Sequence, residues 1–288
     1  MVKLLLIFIL TLSLQAESIV IQILGSGGPE FSKRASSSYI IWVNGKARVL
    51  VDMGSGSFLR FTQAGAKIED LHLVALTHLH IDHVNDLPAF MKGGFFSNRK
   101  QVLPLLGTTE GGDFPDLKTF LKRLFGKRGA FAYMSDILTP QSDSFMLEPI
   151  VLKQKLQHMK IGSISITSLG VSHGPVPAMA YAFEIGGKKI VFSGDTSADS
   201  ESLIRLAKDA DYLVAHHAIA EKSGRFARSL HMTPSRIGEV ANKAGVKHLI
   251  LSHRMTRTYK KESESKRLIR KRYKRKIIWA KDLMKIKL

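Results

Sequence analysis

The 288-residue sequence contains no cysteine. Its absence excludes disulfides, thiolate nucleophiles and cysteine-held zinc, so any metal must be held by His, Asp or Glu. The eleven His residues therefore become the population of interest. Acidic residues are scarce as well. Only 24 Asp and Glu face 43 Lys and Arg, a formal charge of +19. Such a field favours anionic substrates, nucleic acid or anionic surfaces without choosing among them. Long apolar runs are also lacking. The longest, residues 4–14, is too short for a comfortable membrane span. Behind Lys3 and ahead of the small residue Ala16, it reads as a signal peptide over residues 1–16, cleaved near Ala16. The expected location is periplasmic or secreted, with no transmembrane span in the mature chain; an uncleaved anchor is the alternative. Export does not conflict with the lack of cysteine, because a chain of this length buries enough core to fold without disulfides.

What is present is a regular alternation of short apolar runs and longer helical stretches. Strands are expected at 19–24, 39–43, 48–51, 71–77, 161–171, 180–185, 189–193, 212–215 and 248–252. Asn44-Gly45 and Gly186-Gly187 are hairpin turns. Helices are expected at 56–64, 116–125, 200–207 and 234–244, the last with Thr233 as N-cap, Pro234 at the first position and Gly245 beyond the end. This mixture indicates a layered α/β domain with mixed sheets. Residues 92–133, rich in Gly, Phe and basic side chains, read as a lid over a site or as a surface insertion. Residues 266–276 are dense in Lys and Arg, either a solvated helix face or a polyanion contact.

The informative segment is the apolar run 71–77 followed by His78, His80, Asp82 and His83. Neutral imidazoles and carboxylates are good zinc ligands, and a tight loop at a strand end can aim alternate side chains at two neighbouring points. His78 and His80 would reach one ion, Asp82 and His83 the other. Three further apolar runs end in potential ligands: His173, Asp195 and His253. Strand ends gather at one rim of a sheet, where α/β sites form.

The segment Thr77-His78-Leu79-His80-Ile81-Asp82-His83 resembles the HxHxDH signature of the metallo-β-lactamase superfamily. Leu24-Gly25-Ser26-Gly27-Gly28-Pro29, Val51-Asp52-Met53-Gly54, Ser172-His173-Gly174-Pro175, Phe192-Ser193-Gly194-Asp195-Thr196 and Leu249-Ile250-Leu251-Ser252-His253 resemble its other motifs, in order. The resemblance implies a single domain over 17–288 with the αββα four-layer sandwich and two zinc ions, although manganese or iron suits such ligands too. His78, His80 and His173 would hold one ion and Asp82, His83 and His253 the other. Asp195 would bridge them, with a hydroxide between the metals as nucleophile.

Within the superfamily, His231-Met232-Thr233-Pro234 resembles the ribonuclease Z branch, in which the matching His donates a proton to the leaving group. The candidate catalytic residues are Asp82, also a ligand, and His231. Two departures bear on the substrate. Bacterial tRNA-processing members often insert a long basic arm between the motifs matching His173 and Asp195, and none fits here. His216-His217-Ala218 stands where the branch often has His-Glu, so either His supports the site or the two form an exposed structural pair. With export, these features favour arm-less relatives resembling arylsulfatases and cyclic-nucleotide phosphodiesterases. The expectation is an exported hydrolase of a small anionic ester, a phosphodiester or aryl sulfate. A ribonuclease Z-like endoribonuclease acting on nucleic acid, a lactonase or β-lactamase, and a non-catalytic binding protein are the alternatives. The related endonucleases are typically dimers, which leaves the oligomeric state open with a homodimer as one expectation.

Overall fold

The computed structural model describes residues 17–198 and 201–288; the candidate signal segment, residues 1–16, lies outside them. In chain order the strands are β1 (Ile19–Gly25), β2 (Ser38–Val43), β3 (Lys46–Val51), β4 (Leu73–Ala75), β5 (Leu103–Thr108), β6 (Leu147–Leu152), β7 (Gln157–Ile161), β8 (Ile164–Val171), β9 (Ala178–Ile185), β10 (Lys188–Phe192), β11 (Tyr212–His216), β12 (His248–Ser252), β13 (Lys276–Trp279) and β14 (Lys285–Lys287). They form two seven-stranded sheets, ordered β14-β1-β2-β3-β4-β5-β6 and β13-β12-β11-β10-β9-β8-β7. Each sheet is mixed. Hairpin-linked strands pair antiparallel through β3 and through β10, and the strands beyond run parallel.

The period-2 pattern decides which side chains enter the middle. Ile19, Ile21 and Ile23 of β1 point between the sheets, where they meet Tyr181, Phe183 and Phe192. The opposite faces are apolar too, which two-sided burial requires. Outside the first sheet lie α1 (Ser57–Gln63), α2 (Ile81–Val84), α3 (Leu87–Phe95) and α4 (Leu117–Phe125), burying Phe61, Phe90 and Leu121 against Leu50 and Val74. On the second sheet's side lie α5 (Ser202–Leu206), α7 (Pro234–Lys243) and α9 (Glu262–Arg272), while the short helices α6 (Arg225–Leu230) and α8 (Thr256–Tyr259) precede His231 and follow His253. Of these, α5, α7 and α9 bury Leu206, Ile237 and Ile269 against Val191 and Leu249. The result is the expected αββα sandwich. Among the described residues, no helix is long and apolar enough to cross a membrane.

Three expectations need correction. The run 161–171 is not one strand: Gly162, at φ 58°, turns the chain between β7 and β8. The run 71–77 yields only the three residues of β4, because Thr77 has left the sheet to bond Asp52. Residues 92–133 are more than a lid or a surface insertion. They supply β5 to the first sheet and α4 above it, with Leu117, Leu121 and Phe125 fully buried. The α7 signals hold: the Thr233 side chain accepts from the Arg236 amide, with Pro234 at the first helical position.

Helices α7 and α9 touch backbone to backbone at Gly238. A Cβ built there would lie 2.7 Å from the Ile269 carbonyl oxygen and 2.9 Å from its Cα. A buried helical Gly→Ala change ordinarily gains about 1 kcal/mol from propensity. Here the overlap is with main chain, and overpacking of this kind costs about 1–3 kcal/mol. Gly238→Ala is therefore expected to lower the urea midpoint; an unchanged or raised midpoint would show that the two helices can separate freely.

Candidate metal centre

Strand direction brings the site together. β8, β10, β11 and β12 all end at one rim, as do β3 and β4 of the facing sheet, and the residues just past these ends are His173, Asp195, His217, His253, Asp52 and Thr77. The rims of the two sheets are fastened by the Met179 amide on the Thr77 carbonyl (2.8 Å) and the Arg254 amide on the Ser26 carbonyl (2.7 Å). Two residues at these ends, Asp52 (φ 58°) and His253 (φ 51°), have left-handed backbone that L side chains seldom adopt. Such strain persists only where surrounding contacts over-determine it. Gly54 marks a close approach beside the ligand loop, since a Cβ there would lie 2.1 Å from the Asp82 carbonyl oxygen.

The structure brings His78, His80, Asp82, His83, His173, Asp195, His231 and His253 into one cluster. Ligand atoms of His78, His80, His173 and Asp195 lie within 4.8 Å of one another, as do those of His83, Asp195, His216 and His253. Asp195 is common to both groups. Its Oδ2 stands 3.8 Å from Nε2 of His78 and of His173, 3.6 Å from Nε2 of His83 and 3.5 Å from Nε2 of His253. Its Oδ1 is committed elsewhere: His216 donates to it from Nδ1 at 2.6 Å. Asp82 joins the second group from the side, with Oδ2 3.0 Å from His253 Nε2 and 3.6 Å from His83 Nε2.

The ring tautomers show what these nitrogens await. Asp52 is buried and accepts from the Thr77 amide (2.7 Å) and hydroxyl (3.0 Å). An ionised carboxylate only accepts, so His83 donates to it from Nδ1 at 2.8 Å and leaves a lone pair on Nε2. That Nε2 is buried without a hydrogen-bond partner among the described residues. His173 donates from Nδ1 to the Leu230 carbonyl (2.8 Å), so its Nε2 lone pair faces His80 Nδ1 at 3.2 Å. His78 Nε2 approaches the same His80 nitrogen at 3.0 Å, and His80 has at most one proton for the two. Buried lone pairs converging on carboxylate oxygens fit metal cations.

The electrostatics agree. Burial drives the His78 imidazole well below its usual range, into the neutral form that coordinates metal. At His83 burial acts the same way, but the Asp52 and Asp82 carboxylates outweigh it and raise the imidazole well above normal. Positive charge is thus favoured on that ring, so its Nε2 takes up a proton unless a cation binds there instead. Burial also opposes ionisation of Asp195, yet His253, His231 and the His216 hydrogen bond hold its carboxyl well below the carboxylate range. His231 is different. Burial takes its imidazole down to about 3, against the opposing pull of Asp195, and its Nδ1 lies unpartnered 3.6 Å from Asp195 Oδ1.

His216 and His217 are not an exposed pair; both are buried. His216 faces the site, whereas His217 turns away to Ser265 Oγ (3.0 Å) and the Trp279 ring. His216 uses both ring nitrogens, Nδ1 on Asp195 and Nε2 on Tyr39 Oη at 3.2 Å, and that hydroxyl also shares a hydrogen bond with Ser252 Oγ at 2.9 Å. It is therefore a support for Asp195 rather than a further ligand. The sequence left a supporting role open to either His; the structure assigns it to His216, on which β11 ends much as β12 leads to His253. Asp52 was quoted within a motif but given no task. Tyr39 carried no signal, being one inward residue of an ordinary strand.

Between His173 and Asp195 the chain forms only the hairpin of β9 and β10, so no arm is present. Phe114, on the loop after β5, packs edge-on against His80 with ring centroids 5.4 Å apart.

Comparison with known proteins gives the family and the fold. Residues 47–254 match the family described as the beta-lactamase superfamily domain. Ribonuclease Z of Methanosarcina mazei is 24% identical over 264 residues, 80% of this chain and 85% of that protein. The probable metallo-hydrolase YhfI of Bacillus subtilis is 28% identical over 233 residues, 79% and 83% of the two chains. The crystal structure of YhfI superposes with a TM-score of 0.72 at 21% identity, covering 94% of this chain and all of that one. Human tRNase Z, short form, gives 0.70 at 19% identity over 93% and 98%. Zinc-bound PqqB from Methylobacterium extorquens gives 0.69 at 15% over 93% and 100%. Fold and site together define a metal-dependent hydrolase. The chain belongs to the metallo-β-lactamase superfamily, with ribonuclease Z and YhfI among its relatives.

Asp195→Ala is expected to abolish metal retention and activity together, read by metal analysis after gel filtration; full metal content would remove Asp195 from the shared position. Tyr39→Phe keeps the ring and deletes the hydroxyl behind His216. Loss of such an outer support typically costs about 10–100-fold in metal affinity. A chelator competition titration should show that loss with an unchanged circular dichroism spectrum, and wild-type affinity would make Tyr39 a packing residue only.

Proposed function

We propose that this hydrolase cleaves phosphodiester bonds, RNA being the favoured substrate, with two zinc ions. One would be held by His78, His80 and His173, the other by Asp82, His83 and His253, with Asp195 Oδ2 between them. The observation that carries the reading is the placement of His231. It is an imidazole outside both ligand groups, 3.6 Å from the shared carboxylate. The ribonuclease Z relatives supply the bond type. Bound ions would supply Lewis-acid charge toward a phosphoryl oxygen and make water nucleophilic near neutral pH.

The chain's own residues do the rest. Asp52 and the Leu230 carbonyl fix the tautomers of His83 and His173. Tyr39 and His216 hold Asp195 Oδ1 so that Oδ2 stays turned to the imidazoles. His231 gives a proton from Nδ1 to the departing oxygen. Burial keeps the free imidazole neutral; an anionic phosphodiester beside it opposes that effect and favours uptake from water of the second proton, the one the departing oxygen then receives. The proton donor is thus armed by the charge of the substrate it serves.

A second reading keeps the same chemistry on a small ester, a nucleotide diester or aryl sulfate met outside the cytoplasm. The hairpin between His173 and Asp195 favours it, because nothing there extends to hold a folded RNA. Removal of residues 1–16 on export belongs to this reading, and intact-mass analysis of periplasmic protein checks it.

Turnover of the metal-loaded protein on single-stranded RNA, bis(p-nitrophenyl) phosphate and p-nitrophenyl sulfate separates the two. Endonucleolytic RNA cleavage supports the first, and clear small-ester turnover without RNA cleavage supports the second. His231→Ala should retain metal and slow diesters with poor leaving groups by roughly 10²–10⁴-fold. Leaving groups that need no protonation should be slowed far less, and equal slowing across the series would refute the proton-donor role.

A further inference from the structure

Eight of the eleven residues from 266 to 276 are Lys or Arg, and the site described above uses none of them. The structure places them on α9 and the segment that follows it. The inner face of α9 is Ser265, Ile269 and Tyr273, spaced by four and buried to within 2%. The outer positions Lys266, Arg267, Lys271 and Arg272 are exposed, as are the three cations at 274–276.

Several ordinary explanations leave most of this charge unaccounted for. Helix-dipole compensation suits Arg270, Lys271 and Arg272 in the last turn. It does not reach Lys266 and Arg267, nor the residues beyond the helix. Arg270 caps the Lys274 and Arg275 carbonyls, and Arg275 caps that of Gly245. Intrahelical pairing is not used either: Glu262, four residues before Lys266, is turned to Arg254, and Glu264, three before Arg267, makes no ion pair among the described residues. Nearby carboxylates are spent elsewhere, Asp211 on Lys247 and Glu201 and Glu239 on Lys243. Among the described residues, no ion pair reaches the cations of 266–276.

The helix is also aimed. Its first turn is fastened beside the metal centre: Ser265 Oγ meets His217, the residue after His216, and Glu262 meets Arg254, the residue after His253. From there α9 runs back along the sheet, and its exit leads into β13, where Lys276 pairs with His248 at the opposite end of β12. Eleven helical residues span about 16 Å. The cations form a track that starts at the site and leads away from it. A membrane surface is the poorer partner, since the apolar face an interfacial helix would insert is buried here under α7.

We propose that the outer face of α9, continued through residues 274–276, is a binding track for the backbone of an RNA strand whose scissile phosphodiester lies at the metal centre. The proposal rests on the phosphodiesterase reading for its substrate, but the binding can be measured without turnover. The track holds phosphates without reading bases, so binding should be insensitive to sequence and sensitive to salt.

The experiment uses the full metal-loaded chain and a triple variant, Lys266→Gln, Arg267→Gln, Lys271→Gln, exposed positions that belong to neither ligand group. Fluorescence anisotropy of a labelled 20-nucleotide RNA across a salt series gives affinity and its slope. Bis(p-nitrophenyl) phosphate turnover and a thermal melt report on the site and the fold. The variant should bind RNA roughly tenfold more weakly, and its log-log salt slope should be shallower by about two, from three lost phosphate contacts at about 0.7 each. Diester turnover and the melt should match the wild type. Equal RNA affinity and slope in the two proteins overturns the track, as does preference for anionic vesicles over RNA. Tight, variant-sensitive RNA binding without hydrolysis of any diester upholds the track and sinks the phosphodiesterase reading instead.

Discussion

The carboxylate of Asp195 has two oxygens with different surroundings, and the site depends on their staying different. Oδ1 is pinned by a 2.6 Å hydrogen bond from His216, which reaches back to Tyr39 in the other sheet. Oδ2 is left among four imidazole nitrogens at 3.5–3.8 Å. If the group could rotate, neither ligand cluster would keep its shared member. Gly194, at φ 57° and with a Cβ position 2.8 Å from the Met179 carbonyl oxygen, lets the chain make the turn that presents this side chain.

His231 and His173 are coupled through the same short stretch of backbone. Leu230 closes α6, its carbonyl fixes the His173 tautomer, and the next residue is the proposed proton donor. A shift of α6 would move a metal ligand and the proton donor together. Two imidazoles of the site, His83 and His173, are thus held by carboxylate or main-chain acceptors that belong to neither ligand group.

The ligands were legible because their signal is local: an apolar run that stops at a His or Asp. The layers were legible for the same reason, since period-2 strands and the Thr233-Pro234 helix start need no knowledge of distant neighbours. What escaped depends on contacts across the chain. Tyr39 lies 177 residues from His216, and nothing in its own strand distinguishes it from the apolar residues beside it. Residues 92–133 misled because Gly and Phe disguise a strand that is buried by parallel neighbours rather than alternating toward water. The edge strands β13 and β14 are three or four residues long, too short to show any period. The His216-His217 pair split because successive residues at a strand end face opposite ways, one toward the centre and one into the layer beneath α9.

The ligands come from both halves of the sandwich. His78, His80, Asp82 and His83 follow a strand of the first sheet; His173, Asp195 and His253 follow strands of the second. A metal bound here is therefore also a rivet. It ties together two layers that otherwise meet through apolar packing and a few rim hydrogen bonds, and the folded state alone presents the complete set of ligands. Occupancy then adds to cohesion by mass action. In surroundings poor in metal, the protein would lose durability along with chemistry, so the supply of the ion sets how long the molecule lasts as well as whether it works.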